Sequence, residues 1–310
     1  MKPKFLNNKI IKILVYIISI SIIIYASYLV LENYSQIKEH ISKGNKLFFL
    51  ASLIFYTIYT VIITYAWKLI ILEKIKFIDA FVIYNTTQLG KYIPGKIWVY
   101  AAQVYFLKRY NIKFKELMLK TLIFYTLFFL SAIVFSISAY GLYINNPIMI
   151  IASILGSYVF ILTILKPFNT IKGLWKYIYS YTVMLFDLFL GWIATYYLIM
   201  SIYPTDLITT VLVAASAYIA WIVGFVVLVA PAGLGIREGA NLWILHTFLK
   251  LPMGFASLFP LAMRFIVSVS EILTILMGIY IGKKRGMLDF SEIKRIEQEV
   301  KEFPKKENLD

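Results

Sequence analysis

Residues 207–249 read LITTVLVAASAYIAWIVGFVVLVAPAGLGIREGANLWILHTFL, an apolar stretch interrupted at Pro231-Ala232-Gly233-Leu234-Gly235 and followed at once by Arg237 and Glu238. Whether this stretch crosses a membrane or turns back inside it decides the fold, and its neighbours give the answer. Before it, Tyr203-Pro204-Thr205-Asp206 carries no basic residue. Lys and Arg gather in short cytoplasmic loops, so this loop falls outside. After it, the apolar run 257–281 ends at Lys283, Lys284 and Arg285, so that run begins outside and finishes inside. The stretch therefore starts and ends outside, as a hairpin broken at 231–235. Its first arm is long enough that the break could lie nearer the cytoplasmic face, but the parity is the same at either depth.

Working outward, six segments reach or approach the roughly 20 apolar residues that a helix needs to cross a hydrocarbon core: 13–31, 47–67, 121–143, 148–165, 180–202 and 257–281. Lys2, Lys4, Lys9 and Lys12 put the N-terminus inside. The run after them is too long for a secretory signal and lacks a small-residue cleavage site, so it is read as a retained first span. A second interrupted segment, 81–106, has Lys68, Lys74 and Lys76 before it and Lys108, Arg109, Lys113, Lys115 and Lys120 after it. Both flanks are thus cytoplasmic, and its arms, Phe81 to Ile93 and Ile97 to Leu107, are each too short to cross at about 1.5 Å per residue. A re-entrant hairpin broken at Gly90-Lys91-Tyr92-Ile93-Pro94-Gly95-Lys96 satisfies both facts. Asn145-Asn146-Pro147 then falls outside, and Lys166, Lys172 and Lys176 inside. The expected fold is an all-α polytopic membrane protein with six full transmembrane helices and two broken re-entrant hairpins of opposite orientation, in the manner of an inverted repeat. Both termini are expected in the cytoplasm.

Composition agrees. With 61% hydrophobic and 15% charged residues and a mean hydropathy of +0.78, the chain lies far from the quarter-charged soluble average. No soluble block of domain size remains: residues 1–282 form the membrane body and 283–310 a short basic, amphipathic cytoplasmic tail. There Ile293, Ile296, Val300 and Phe303 recur near helical spacing behind Ser291 as N-cap and before Pro304. Lys305 to Asp310 are expected to be disordered. The net charge of +15 does not point to nucleic acid, because the basic residues sit in short clusters between apolar runs. With no cysteine, disulfides, thiolate metal sites and cysteine nucleophiles are excluded. The sequence has no Asp-x-Asp pair, paired histidines, Walker loop or Gly-x-Ser-x-Gly elbow. That argues against ATP-driven pumping within this chain and against the commoner hydrolase and sugar-transferase designs, and no metal or cofactor is expected.

Irregular backbone at membrane depth is tolerated only where protein buries it or water reaches it. The two breaks, at Pro94-Gly95 and at Pro231, Gly233 and Gly235, therefore imply a shared polar cavity, with free helix N-termini favouring anionic groups. Charged residues inside apolar segments are costly and usually face the interior; here they are Lys91, Lys96, Asp187, Arg237, Glu238, Arg264 and Glu271. Arg237 directly follows the second break, so its guanidinium and the new helix's free N–H groups are suited to a phosphate. Alternatively, Arg237 and Glu238 pair with Arg264 and Glu271 to hold the hairpin against the last span. Arg264 and Glu271 are seven residues apart and share a helix face, which suits both readings. Lys91 is read as snorkelling to the interface and Lys96 as the better ligand. Asp187 is read as a counter-ion ahead of a proton-coupling site, and His246 as an interfacial or packed histidine. The 24 Tyr and 23 Phe are assigned to interfacial belts and helix packing, without identifying a substrate.

Pro231-Ala232-Gly233-Leu234-Gly235-Ile236-Arg237-Glu238-Gly239 resembles the P-x-G-x-G-x-R-E signature of the lysylphosphatidylglycerol synthase transmembrane-region family of flippase-like membrane proteins. Gly90-Lys91-Tyr92-Ile93-Pro94-Gly95-Lys96-Ile97-Trp98 resembles that family's first break, and the pattern covers roughly residues 10–282. Where many members place a small and then an acidic residue after the first break, this chain has Trp98 and Val99, which puts its lipid preference in doubt. The resemblance implies a non-enzymatic flippase of the cytoplasmic membrane. Its substrate would be an anionic lipid, such as an aminoacylated phospholipid or a polyprenyl-phosphate-linked sugar. Only a short tail follows the membrane part, so lysyl-lipid synthase activity is expected to be absent. On this reading Lys96 and Arg237 hold the head-group phosphate, Glu238 and Glu271 keep the cations ionised and placed, and the glycines allow close backbone approach.

Two other functions are open. One is an integral membrane enzyme or accessory subunit in lipid-linked saccharide or cell-envelope biosynthesis, which would need Asp187, Glu238 or Glu271 for turnover. The other is a scaffold whose tail recruits a cytosolic partner, such as an envelope-biosynthesis enzyme.

Overall fold

A computed structural model of the chain describes residues 9–288 apart from 36–37, 39–41, 43–44, 93–96, 109, 111, 113, 166–170 and 228–230. Residues 289–310 of the expected cytoplasmic tail 283–310, and Pro94, Gly95 and Lys96 of the first break, lie outside the described residues. All regular elements among the described residues are helical. They are α1 (Lys9–Glu32), α2 (Lys46–Ile71), α3 (Phe77–Thr87), α4 (Ile97–Lys108), α5 (Phe114–Tyr143), α6 (Pro147–Leu165), α7 (Ile171–Ile202), α8 (Leu207–Val226), α9 (Ile236–Trp243) and α10 (Met253–Lys284). A tight turn, Gln88–Tyr92, continues α3, and a wide one, Ile244–Phe248, continues α9. Six helices (α2, α5, α6, α7, α8 and α10) are long and apolar enough to cross a membrane, as a polytopic membrane protein requires.

The helix boundaries follow local chemistry. Asn45 accepts from the Leu47 N–H at 2.9 Å at the start of α2. Asp206 accepts from the Thr209 N–H at 2.9 Å at the start of α8, satisfying amide groups that the helix leaves unpaired. Asn146 does the same for Met149 at 3.1 Å, with Pro147 in the first helical position, where it needs no N–H.

The centre of the bundle is the packing of α2 against α7. The buried face of α2, Ser52, Tyr56, Ile63, Trp67 and Ile70, follows helical spacing. Ser180 on α7 donates to the Ala66 carbonyl at 2.9 Å, and the Tyr56 and Thr195 hydroxyls meet at 2.9 Å. On α8 several buried positions are small, among them Ala214, Ala217 and Ala220, which lets neighbouring helices approach closely.

Charge sorts to the ends of the bundle. Lys74, Lys76, Asp79, Glu116, Lys120, Lys176 and Arg285 surround one surface hollow, with Arg285 paired to Asp79 at 3.1 Å and Lys120 to Glu116 at 2.8 Å. This end gathers the close of α2, the start of α3, the chain after α4, the start of α7 and the close of α10. The first interrupted segment thus leaves and returns at one end. At the other end Tyr203 packs on Phe255 at 4.9 Å, so the second interrupted segment begins and finishes there. Helix, hairpin and helix therefore occur twice, as α2, α3–α4, α5 and as α7, α8–α9, α10, with opposite directions.

The two hairpins are not alike. The arms of the first, α3 and α4 with 11 and 12 residues, reach about half-way through a hydrocarbon core. In the second, α8 alone has 20 residues, enough to cross, whereas α9 has 8. The long first arm expected from the sequence is α8, which is one of the six helices able to cross, whereas the run 13–31, expected as a full span, is not among those six. Gly233, at φ 69°, lies against the carbonyl of Gly224, so the chain doubles back directly onto the last turn of α8.

Candidate functional site

The turn Gln88–Tyr92, at the described edge of the first break, touches Pro231–Gly233 of the second, and both dock on the middle of α10. Arg264 and Glu271 stand about 10 Å apart along that helix, one at each break. From the second break, the Ala232 carbonyl accepts from Arg264 Nη1 at 3.2 Å. From the first, Lys91 Nζ forms an ion pair with Glu271 Oε1, and the Tyr92 hydroxyl donates to Glu271 Oε2 at 2.6 Å. Between them lies a cavity of about 190 Å³ with Lys91, Arg237, Arg264 and Glu271 in its lining.

The backbone of the second break explains its composition. Gly233 and Gly235 have φ of 69° and 76°, a region that glycine enters without steric cost. Ala232 also takes a positive φ, 50°, and the Arg264 bond to its carbonyl helps hold it there. Glu238 Oε2 accepts from the Gly235 N–H at 2.7 Å, while Glu238 Oε1 lies 3.6 Å from Arg264 Nη1. The helix's own third residue, Glu238, thus brings a carboxylate to the start of α9, as one half of a capping box does, so a phosphate expected at that start would share it with Glu238.

The open alternatives thereby separate by residue. Arg264 and Glu238 pair with each other, and Glu271 pairs with Lys91. Arg237 makes no ion pair or hydrogen bond among the described residues, and its guanidinium lines the cavity. Within the described residues the cavity lining carries three cations, Lys91, Arg237 and Arg264, against one carboxylate, Glu271, with Glu238 3.6 Å from Arg264. That surplus attracts an anion. Lys91, expected at the interface, is instead an inward partner of Glu271. Asp187 is fully buried on α7, and neither carboxyl oxygen has a hydrogen-bond partner. Among the described residues no cation stands beside it to make it a counter-ion. His246 is exposed and meets the Leu251 carbonyl at 3.2 Å.

Two features were hidden in the sequence. Gly224 is one apolar-helix glycine among several, yet a Cβ placed there would stand 3.0 Å from the Cβ of Arg237; this close approach brings Arg237 to the cavity. The wall facing the cations is aromatic: Tyr125 packs on Phe225 at 4.7 Å and Phe128 on Trp221 at 4.9 Å, and all four line the cavity. Nothing in their spacing distinguishes them from the other rings in α5 and α8. A pocket lined by both arginines and aromatic rings can take an anion attached to an apolar or ring-bearing body. In comparisons with known proteins, the chain matches no family model and no curated protein.

Proposed function

We propose that this protein carries anionic lipids across the cytoplasmic membrane without altering them chemically, with the lysine-rich end of the bundle inside. The observation that carries this reading is Arg237, which lines a cavity beside the contact of Gln88–Tyr92 with Pro231–Gly233 and has no ion-pair or hydrogen-bond partner among the described residues. A buried cation without a partner is costly, and a lipid phosphate removes that cost by paired charge-assisted hydrogen bonds. The head group passes between the hairpins while the tails stay in the bilayer, as in transporters that place irregular backbone around a site at the membrane midplane. Lys96, from the first break, is a second phosphate ligand on this reading. Glu238 and Glu271 are positioning residues, holding Arg264 and Lys91.

The resemblance of residues 231–239 to the lysylphosphatidylglycerol synthase transmembrane-region family narrows the substrate to aminoacylated phospholipids or polyprenyl-phosphate-linked sugars. The aromatic wall suits either, since rings accept sugar faces as well as apolar chains.

The test is transfer of fluorescent lipids between leaflets in proteoliposomes, comparing wild type with Arg237→Ala at equal reconstitution. Transfer by wild type that falls at least tenfold in the variant is expected. Absence of wild-type transfer for both anionic phospholipids and polyprenyl-phosphate sugars would refute the proposal and direct work to lipid-linked saccharide chemistry.

A further inference from the structure

Asp187 is the acid that the proposed transport path leaves unexplained. It lies in the middle of α7, wholly buried, with both carboxyl oxygens unpartnered. One turn further on, Gly191 is packed under the rings of Tyr59 and Tyr218, and the Tyr218 hydroxyl donates to the carbonyl of Leu188 at 2.6 Å. The titratable groups that face Asp187 are Tyr59 from α2, Tyr84 from α3 and Tyr218 from α8. Among the described residues α5, α6 and α10 bring it no charged or titratable partner.

Tyr59 and Tyr84 also line the cavity. Asp187 thus sits directly behind two cavity hydroxyls that make no hydrogen bond among the described residues. Tyr59 lies within electrostatic reach of both the Asp187 carboxyl and the Arg237 guanidinium, so it separates the two sites.

We propose that Asp187 is a proton-binding site linked to occupancy of the cavity, so that a proton and the anionic group held by Arg237 are taken up and released together. This rests on the anionic occupant proposed above. An ionised carboxylate without a partner in a dry interior is costly, and the neutral acid is the form such a site accepts. Arg237 acts on Asp187 through Tyr59, which both reach: while Arg237 is unneutralised it draws the Tyr59 oxygen, and the hydroxyl dipole then favours the ionised carboxylate. An anion at Arg237 draws the Tyr59 O–H to itself instead, and Asp187 then keeps its proton. Linkage is reciprocal, so protonation of Asp187 tightens the anion in turn. The step moves one proton from a hydronium ion in the cavity, which is left as water, to the hydroxyl oxygen of Tyr59 or Tyr84, whose own proton passes to a carboxylate oxygen. Two O–H bonds break, two form, and no electrons change hands.

The experiment is infrared difference spectroscopy of the full-length protein in phosphatidylcholine nanodiscs, titrated with pH in the presence and absence of phosphatidylglycerol. We expect a protonated-carboxyl band that is missing in Asp187→Asn. Its midpoint should rise by about 0.5 pH unit or more with phosphatidylglycerol, equivalent to about threefold tighter lipid binding to the protonated form. Asp187→Glu, which keeps the acid and should show the band displaced, serves if the Asn variant does not fold. A wild-type spectrum without a band attributable to Asp187 overturns the proposal, as does a midpoint that neither phosphatidylglycerol nor inorganic phosphate moves. If inorganic phosphate moves the midpoint while phosphatidylglycerol neither moves it nor is transferred, the proton site stands and the lipid reading of the cavity falls.

Discussion

Lys91, on the turn that closes the incoming arm of the first hairpin, pairs with Glu271 in the middle of α10. The contact joins a break to the longest face of the bundle and leaves both side chains only about one-fifth exposed, at 22% and 20%. Removing one charge strands the other in partly dry surroundings, so Glu271→Gln should cost about 1–3 kcal/mol. Thermal unfolding in detergent should show the loss, and the charge exchange Lys91→Glu with Glu271→Lys should recover part of it. An unchanged Tm in Glu271→Gln would mean that the pair does not hold the hairpin.

The two arginines should separate in kind. Arg264 binds the Glu238 carboxylate and the Ala232 carbonyl, so Arg264→Ala should lower Tm, again by about 1–3 kcal/mol. Arg237 has no such ties, and Arg237→Ala should leave Tm near wild type while abolishing lipid transfer. Arg237→Lys should recover transfer only partly, because an ammonium cannot reproduce the bidentate fork. Parallel melting and transfer assays on the three variants read both outcomes.

Two glycines in apolar helices give an internal comparison. A Cβ at Gly224 would press on Arg237, whereas one at Gly156 meets nothing within 4 Å. Gly156→Ala should be neutral or stabilising by up to about 1 kcal/mol through the lower backbone entropy cost. Gly224→Ala should push α9 outward and cost about 1–2 kcal/mol, with transfer reduced as well. Equal behaviour of the two variants would remove the argument for close approach at Gly224.

Asp206 caps α8 outside the apolar spans. The Thr209 hydroxyl, 2.6 Å away, and the Thr209 N–H hold its carboxyl below the usual range. A depressed carboxylate stabilises the fold at pH values above its unfolded titration. The contribution is lost as the pH falls through the lower folded value. Wild type should therefore lose a small part of its Tm between about pH 4 and more acid solution, and Asp206→Ala should already lack it at pH 7. The group is largely exposed, so the effect is that of one cap, about 1 kcal/mol or less.

Much of this architecture was legible because a bilayer imposes lengths and charge placement on the chain itself. The runs 47–67, 121–143, 148–165, 180–202 and 257–281 all fall within apolar helices. The Lys and Arg clusters at 74–76, 120, 176 and 283–285 meet at one end, as the parity argument requires. The glycines of the second break were readable too, because positive φ leaves few other choices.

The pairing of the charges was not legible. Arg237, Glu238, Arg264 and Glu271 are expected to face inward, for each is costly in lipid, and Lys91 to snorkel to the interface. Spacing along single helices cannot say which carboxylate meets which cation, since the partners come from different elements. The sequence by itself determined the helices, their ends and the existence of two breaks, because those depend on hydrophobic length, backbone freedom and loop charge. Only the tertiary structure decided that Glu238 caps its own helix, that Arg264 and Lys91 are committed to structural partners and that Arg237 is left to the cavity. Docking both hairpins on one face of α10 distributes the available carboxylates, and it does so through contacts between elements far apart in the chain.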